Sequence, residues 1–103
     1  MRSGDVDAAE AFVDEALRHA PRDVDLMAEK GRVLLHRGNE RDGLAWLERS
    51  CAGWPETPRC AIYAAIWYAT RGRPAEARAF AEEAVRRDPS SPEARAVLAR
   101  LSR

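Results

Sequence analysis

No run of about eighteen apolar residues occurs anywhere in the chain, so a membrane-spanning helix is not expected. Isoleucine and threonine occur twice each and valine is sparse, too few β-formers to furnish several strands. Histidine and cysteine also occur only twice each, without CxxC or any other metal-ligand spacing, so no metal site is expected. Phosphate loop, nucleophile elbow and dinucleotide fingerprint are missing too. The chain is therefore read as no enzyme, with no catalytic residue and no cofactor. His19 and His36 both fall in the last turn of an expected helix, where the helix dipole favours positive charge, which gives them a structural role.

Neither sign of charge is in excess. Seventeen basic side chains balance seventeen acidic ones, so the broad positive footprint that nucleic acids need is lacking. The balance hides a mild asymmetry: residues 1–52 carry eight basic and eleven acidic groups, residues 53–103 nine and six. Lysine occurs once, at Lys30. The dominance of arginine would suit bidentate grip on carboxylates, yet a GC-rich, bacterial-type genome accounts for it as well. Met1-Arg2-Ser3-Gly4-Asp5 leads straight into a charged amphipathic segment, without the apolar core of a secretion signal.

What is there is a repeat. Gly4, Gly38 and Gly72 are spaced by 34 residues, as are Pro21, Pro55 and Pro89, the aromatics Phe12, Trp46 and Phe80, and the small residues Ala9, Gly43 and Ala77. Ala16, Ser50 and Ala84 keep the same register, as do Leu17, Cys51 and Val85. Glycine suits a place where a helix stops and reverses through a left-handed residue. Proline closes the following helix, because it lacks an amide donor and restricts the residue before it. Between these marks apolar residues step by three and four, as in Ala9, Phe12, Val13, Ala16 and Leu17, which buries one helical face. Six helices are predicted, at about 5–19, 23–37, 39–52, 58–71, 73–87 and 91–102, with turns so short that neighbours must be antiparallel.

Gly38, Gly43, Trp46, Ser50 and Pro55 make up one copy, and Gly72, Ala77, Phe80, Ala84 and Pro89 the next. Over nearly its whole length the chain resembles the tetratricopeptide repeat family. The resemblance implies an all-α fold, an α-solenoid of about six helices in antiparallel hairpins wound as a right-handed superhelical stack. It implies one domain over 1–103, with a partial repeat at 4–23, full repeats at 24–57 and 58–91, and a terminal helix at 92–102. The sequence departs from the family pattern in placing the aromatic of the second helix one residue early. Met27, Ala61 and Arg95 stand where a tryptophan-like residue is common, and Lys30 where leucine is expected.

The resemblance further implies a protein-protein interaction module whose first helices line a concave groove for a peptide or partner helix. Here those side chains are Asp25, Ala28, Arg32, Leu35 and His36, then Arg59, Ile62, Ile66 and Ala69, then Glu93, Ala96 and Arg100. Such a groove suits an amphipathic or partly acidic peptide, with arginines as carboxylate anchors and Ile62 and Ile66 as apolar area. The lysine and asparagine clamp known for chaperone carboxyl termini is not matched, since Ala28, Tyr63 and Glu93 stand at its positions. Other readings are an accessory segment of a larger transferase or oxygenase-type enzyme and a homo-oligomerisation element.

Three features carry alternatives. Tyr63, Trp67 and Tyr68 form an aromatic cluster that reads as inter-repeat core, with Tyr63 or Trp67 a binding hot spot if outward. Cys51 and Cys60 bracket a turn and are either within disulfide range or ordinary small core residues. The expected compartment is cytoplasmic, or periplasmic or secreted if they bridge. Finally, Phe12, Val13 and Leu17 call for a cover that four preceding residues cannot supply. Chain ahead of Met1 is the expected cover, and a second copy, giving a homodimer, the alternative.

Overall fold

In the computed structural model, which describes residues 3–102, six helices follow one another and no strand occurs among the described residues. They are α1 (Ser3–His19), α2 (Val24–His36), α3 (Glu40–Ala52), α4 (Arg59–Thr70), α5 (Pro74–Arg87) and α6 (Pro92–Leu101). Every boundary lies within two residues of its predicted place.

The reversals α2–α3 and α4–α5 are built alike. Gly38 and Gly72 hold φ of +82° and +69°, the left-handed region that a Cβ disfavours. Around them the amides of Gly38 and Asn39 donate to the carbonyls of Leu35 and Leu34, and those of Gly72 and Arg73 to Ala69 and Tyr68. This crossed pair is the Schellman arrangement, which satisfies carbonyls left open at a helix end. Gly4 does not share the role expected of its column: it lies in the first turn of α1 and is not among the glycines with positive φ. Helix starts are fixed by side chains. Asp23 accepts from the amides of Asp25 and Leu26 at 3.0 Å each, Ser91 accepts from the amide of Ala94 at 3.2 Å, and Pro74 and Pro92 open α5 and α6, where no amide partner is needed.

Within a hairpin the helices meet through small residues. A Cβ on Gly31 would stand 2.8 Å from the Gly43 carbonyl oxygen, and one on Gly43 would stand 3.0 Å from the Gly31 oxygen and 2.7 Å from the Leu35 side chain. The backbones of α2 and α3 therefore touch with no room for a methyl. Thirty-four residues on, Ala65 and Ala77 occupy these positions with no exposed surface. The fully buried Ser50 hydroxyl donates to the Val24 carbonyl at 2.6 Å, pinning the end of α3 to the start of α2.

Polar and covalent links join successive hairpins. Lys30, which breaks the family pattern, reaches from α2 to Glu10 at 2.8 Å and Asp14 at 2.7 Å on α1. Arg37 adds Glu10 at 2.5 Å, and also Asp7. Cys51 and Cys60 are joined as a disulfide across the α3–α4 turn, their Cα atoms 5.6 Å apart, so they are bonded partners and not free core thiols. Arg87 on α5 donates to the Cys51 carbonyl at 3.0 Å, a cap on the end of α3 supplied by the next hairpin.

Candidate functional site

The first helices of the hairpins, α2, α4 and α6, lie side by side, α2 against α4 and α4 against α6. Two cavities open along this face. The first, about 510 Å³, lies between α2 and α4 and is lined by Arg32, Leu35, His36, Tyr63, Ile66, Trp67, Thr70 and Arg71. The second, about 490 Å³, gathers Val24, Asp25, Glu56, Thr57, Arg59, Ile62, Tyr63, Asp88, Ser91 and Glu93 with Pro55 and Pro58. Ile62 and Ile66 sit one turn apart on α4, so the two hollows are offset by roughly 6 Å along that helix.

The predicted groove residues divide between them. Arg32, His36 and Ile66 share the first cavity, and Asp25, Arg59, Ile62 and Glu93 share the second. Arg100 is exposed on α6 but lines neither. Ala28 is fully buried and cannot present a surface, whereas Leu35, 8% exposed, still forms part of a cavity wall. Tyr63 and Trp67, expected as hot spots if outward, line this cavity, whereas Thr70 and Arg71 were outside the predicted set. The signal for Arg71 was present in the sequence: Trp67 and Arg71 are four apart, the spacing that lays a guanidinium over a ring on one helix.

The aromatic trio splits. Tyr68 stacks on Phe80 at 5.4 Å, inside its hairpin. Trp67 meets Tyr68 edge-on at 5.0 Å and walls the first cavity with Tyr63. Arg71 lies over the Trp67 ring at 5.1 Å and Arg32 over Tyr63 at 5.7 Å. Among the described residues, the buried Trp67 indole N–H finds no acceptor.

Charge in the groove is already partly paired. Glu29 accepts from Arg32 Nε at 3.0 Å, from Arg59 Nη1 at 3.3 Å and from the Tyr63 hydroxyl. The arginines expected as open anchors for a ligand carboxylate therefore hold one of their own. Burial, and then the bond to Glu29, pushes the Tyr63 phenol up to about 12. His36 is held below the usual imidazole range by loss of hydration and by the Arg32 charge, so the dipole argument for a positive His36 gives way to its neighbours.

At the amino end, Val13 is 5% exposed and Leu17 half-buried, while Phe12 stands 71% exposed. Val13 thus faces its own chain and is not available to a second copy. No helix among the described residues is long and apolar enough to cross a membrane, and none of their His, Cys, Asp or Glu side chains converge in a group that could hold a metal ion.

Two family models described as tetratricopeptide repeat match the chain, one over residues 1–58 and one over residues 58–101. Among solved structures, the chain is similar to a thermophilic TPR protein of Thermus thermophilus, with 26% identity and a TM-score of 0.78. The alignment covers 96% of this chain and 50% of that one, so the chain spans about half the length of that structure. No curated protein matches it. With six helices in paired reversals and a family model matched over more than half its length, the chain belongs to the tetratricopeptide repeat family.

Proposed function

We propose that the chain holds a peptide or helix of a protein partner in the groove along α2, α4 and α6. The repeats of this family mediate protein-protein interaction, and both family and neighbour point to a non-catalytic repeat module. The observation that carries the finer reading is the cavity of about 510 Å³ between α2 and α4, with Leu35, Ile66, Tyr63 and Trp67 as apolar wall and Arg32, His36 and Arg71 around them. A pocket of this size, mostly apolar with a few polar groups, suits the anchoring side chain of a partner. Its organisation would be a single domain: a partial repeat at 4–23, repeats at 24–57 and 58–91, and a closing helix at 92–102.

Ile66, 45% exposed, is the residue to change. Ile66→Arg should leave helicity and thermal stability intact and abolish recovery of partners from a lysate of the source organism. Recovery of the same partners by both chains would refute the groove. An accessory segment of a larger enzyme would use the same groove. Homo-oligomerisation through α1 has less behind it, because Val13 faces inward.

The Cys51–Cys60 bond supports an oxidising compartment, periplasmic or secreted, over a cytoplasmic one. Chain alkylated at the moment of cell lysis should then contain no free thiol, and two modified cysteines per molecule would refute that assignment.

A further inference from the structure

We infer that the outward face of α1 is covered by α6 of a second copy, so that chains associate end to end and each junction completes one more helical hairpin. The inference stands apart from the groove reading and leaves the groove open.

The repeat columns show which surfaces lack the cover that their counterparts have. Gly43 and Ser50 on α3 are buried against α2, and Ala77 and Ala84 hold the same places on α5 with no exposed surface. Ala9 and Ala16, in these columns on α1, are only partly buried. Phe12 is 71% exposed, whereas Trp46 and Phe80 in its column are partly buried and Phe80 stacks on Tyr68. Burial of Val13 closes the surface of Phe12, Val13 and Leu17, so the open face of α1 is that of Ala9, Phe12 and Ala16. On α6, Ala94 and Val97 belong to the core, but Ala99 is exposed, although Gly31 and Ala65 in its column are buried. Among the described residues, α1 thus shows the uncovered face of a second helix and α6 that of a first helix.

The two faces match in register and in charge. Gly31 meets Gly43 at the α2–α3 crossing, and the same 34-residue frame sets Ala99 of one copy against Ala9 of the next. Small residues on both sides let the helices approach closely, and Ser102 leaves room for the Phe12 ring. Arg95 then comes beside Phe12, as Arg49 lies over Trp46 at 4.6 Å, and Arg100 comes toward Asp5. Arg95 and Arg100 are exposed on α6, and Asp5 is exposed on the same face of α1 as Ala9 and Phe12. Lys30 and Arg37 hold Glu10, Asp14 and Asp7 on the side of α1 turned to α2. Pairing α1 with α1 would set acid against acid, and α6 with α6 arginine against arginine, so charge favours the unlike pair. A contact between unlike faces does not close on itself by pairing two copies, and it continues the helical stack.

The test is sedimentation of the full chain and of two variants, Phe12→Asp and Ala99→Glu, both at exposed positions where the helical spectrum should be kept. One helix laid on one helix is smaller than a standard interface, so the weight-average mass should pass that of a dimer only between about 10 µM and about 1 mM. Each variant alone should associate at least about tenfold more weakly. Mixed, the two variants still offer one intact α6 to one intact α1, and should form a heterodimer that grows no further. High salt should weaken every junction. A concentration-independent monomer of the unaltered chain would overturn the inference. So would association that Ala99→Glu leaves untouched, which would mean that α1 pairs with something other than α6, and so would a mixture in which no heterodimer forms.

Discussion

Gly31 and Gly43 are glycines for want of space, and Gly38 and Gly72 for want of a tolerable backbone, and the two causes give different mutants. Gly43→Ala places a methyl 2.7 Å from the Leu35 side chain and 3.0 Å from a backbone oxygen, so the hairpin must open, at about 1–3 kcal/mol. Gly38→Ala meets nothing within 4 Å but keeps φ of +82°, at about 1–2 kcal/mol from the left-handed conformation alone. Urea unfolding should show both losses; a compensating Leu35→Ala change should relieve the first and leave the second. Tyr63 supplies a pH signature. Its folded pKa of about 12 lies above the ordinary value of 10.0, so as pH rises past 10 the unfolded chain loses the proton first and stability falls. Phenolate absorbance should show a late component that disappears in Tyr63→Phe; absence of any late component in the unaltered chain would contradict the Glu29 contact.

Among the elements, α1 is the one held most by charge. Val6 and Val13 are buried, but Lys30 and Arg37 of the α2 hairpin hold Glu10, Asp14 and Asp7 on α1. Lys30→Ala should cost about 1–2 kcal/mol, read as faster hydrogen exchange in α1 with α4 and α5 unaffected. The Lys30 and Arg37 bonds hold the Glu10 carboxyl below its ordinary value of 4.5. A depressed acid stabilises above its unfolded pKa and loses that contribution as pH falls through the folded one, so α1 should loosen first below about pH 4.5. Uniform loss across all helices under acid would contradict this. Helix positions were legible in the sequence because glycine, proline and small-residue columns fix turns and crossings by local geometry. Lys30 was legible only as a departure. Its partners lie 16 and 20 residues away, and whether side chains meet across helices depends on helix rotation, which a periodic pattern does not encode. The groove shows the same limit. Its helices were identifiable, but the pairing of Arg32 and Arg59 with Glu29 was not, and Arg100 fell outside both cavities.

At the scale of the molecule, the junction between α3 and α4 joins the hairpins through the Cys51–Cys60 bond, the Arg87 cap on the Cys51 carbonyl and the Thr57 hydroxyl, which donates to Asp25 at 2.6 Å. A link closing a nine-residue separation restricts the unfolded chain by about 2–3 kcal/mol. Reduction should lower the free energy of unfolding by that amount and preserve the helical spectrum; no change would mean that the bond does not form in solution. The same junction sets how α2 and α4 face each other, and so the shape of the cavity between them. The groove is tested most directly by photo-crosslinking, with benzoylphenylalanine placed at position 66 in the cavity or at position 78, an exposed site on α5 that lines neither cavity. In extracts of the source organism, position 66 should give a discrete adduct with a partner protein and position 78 none. Adducts from position 78 alone, or the same adducts from both, would contradict the account.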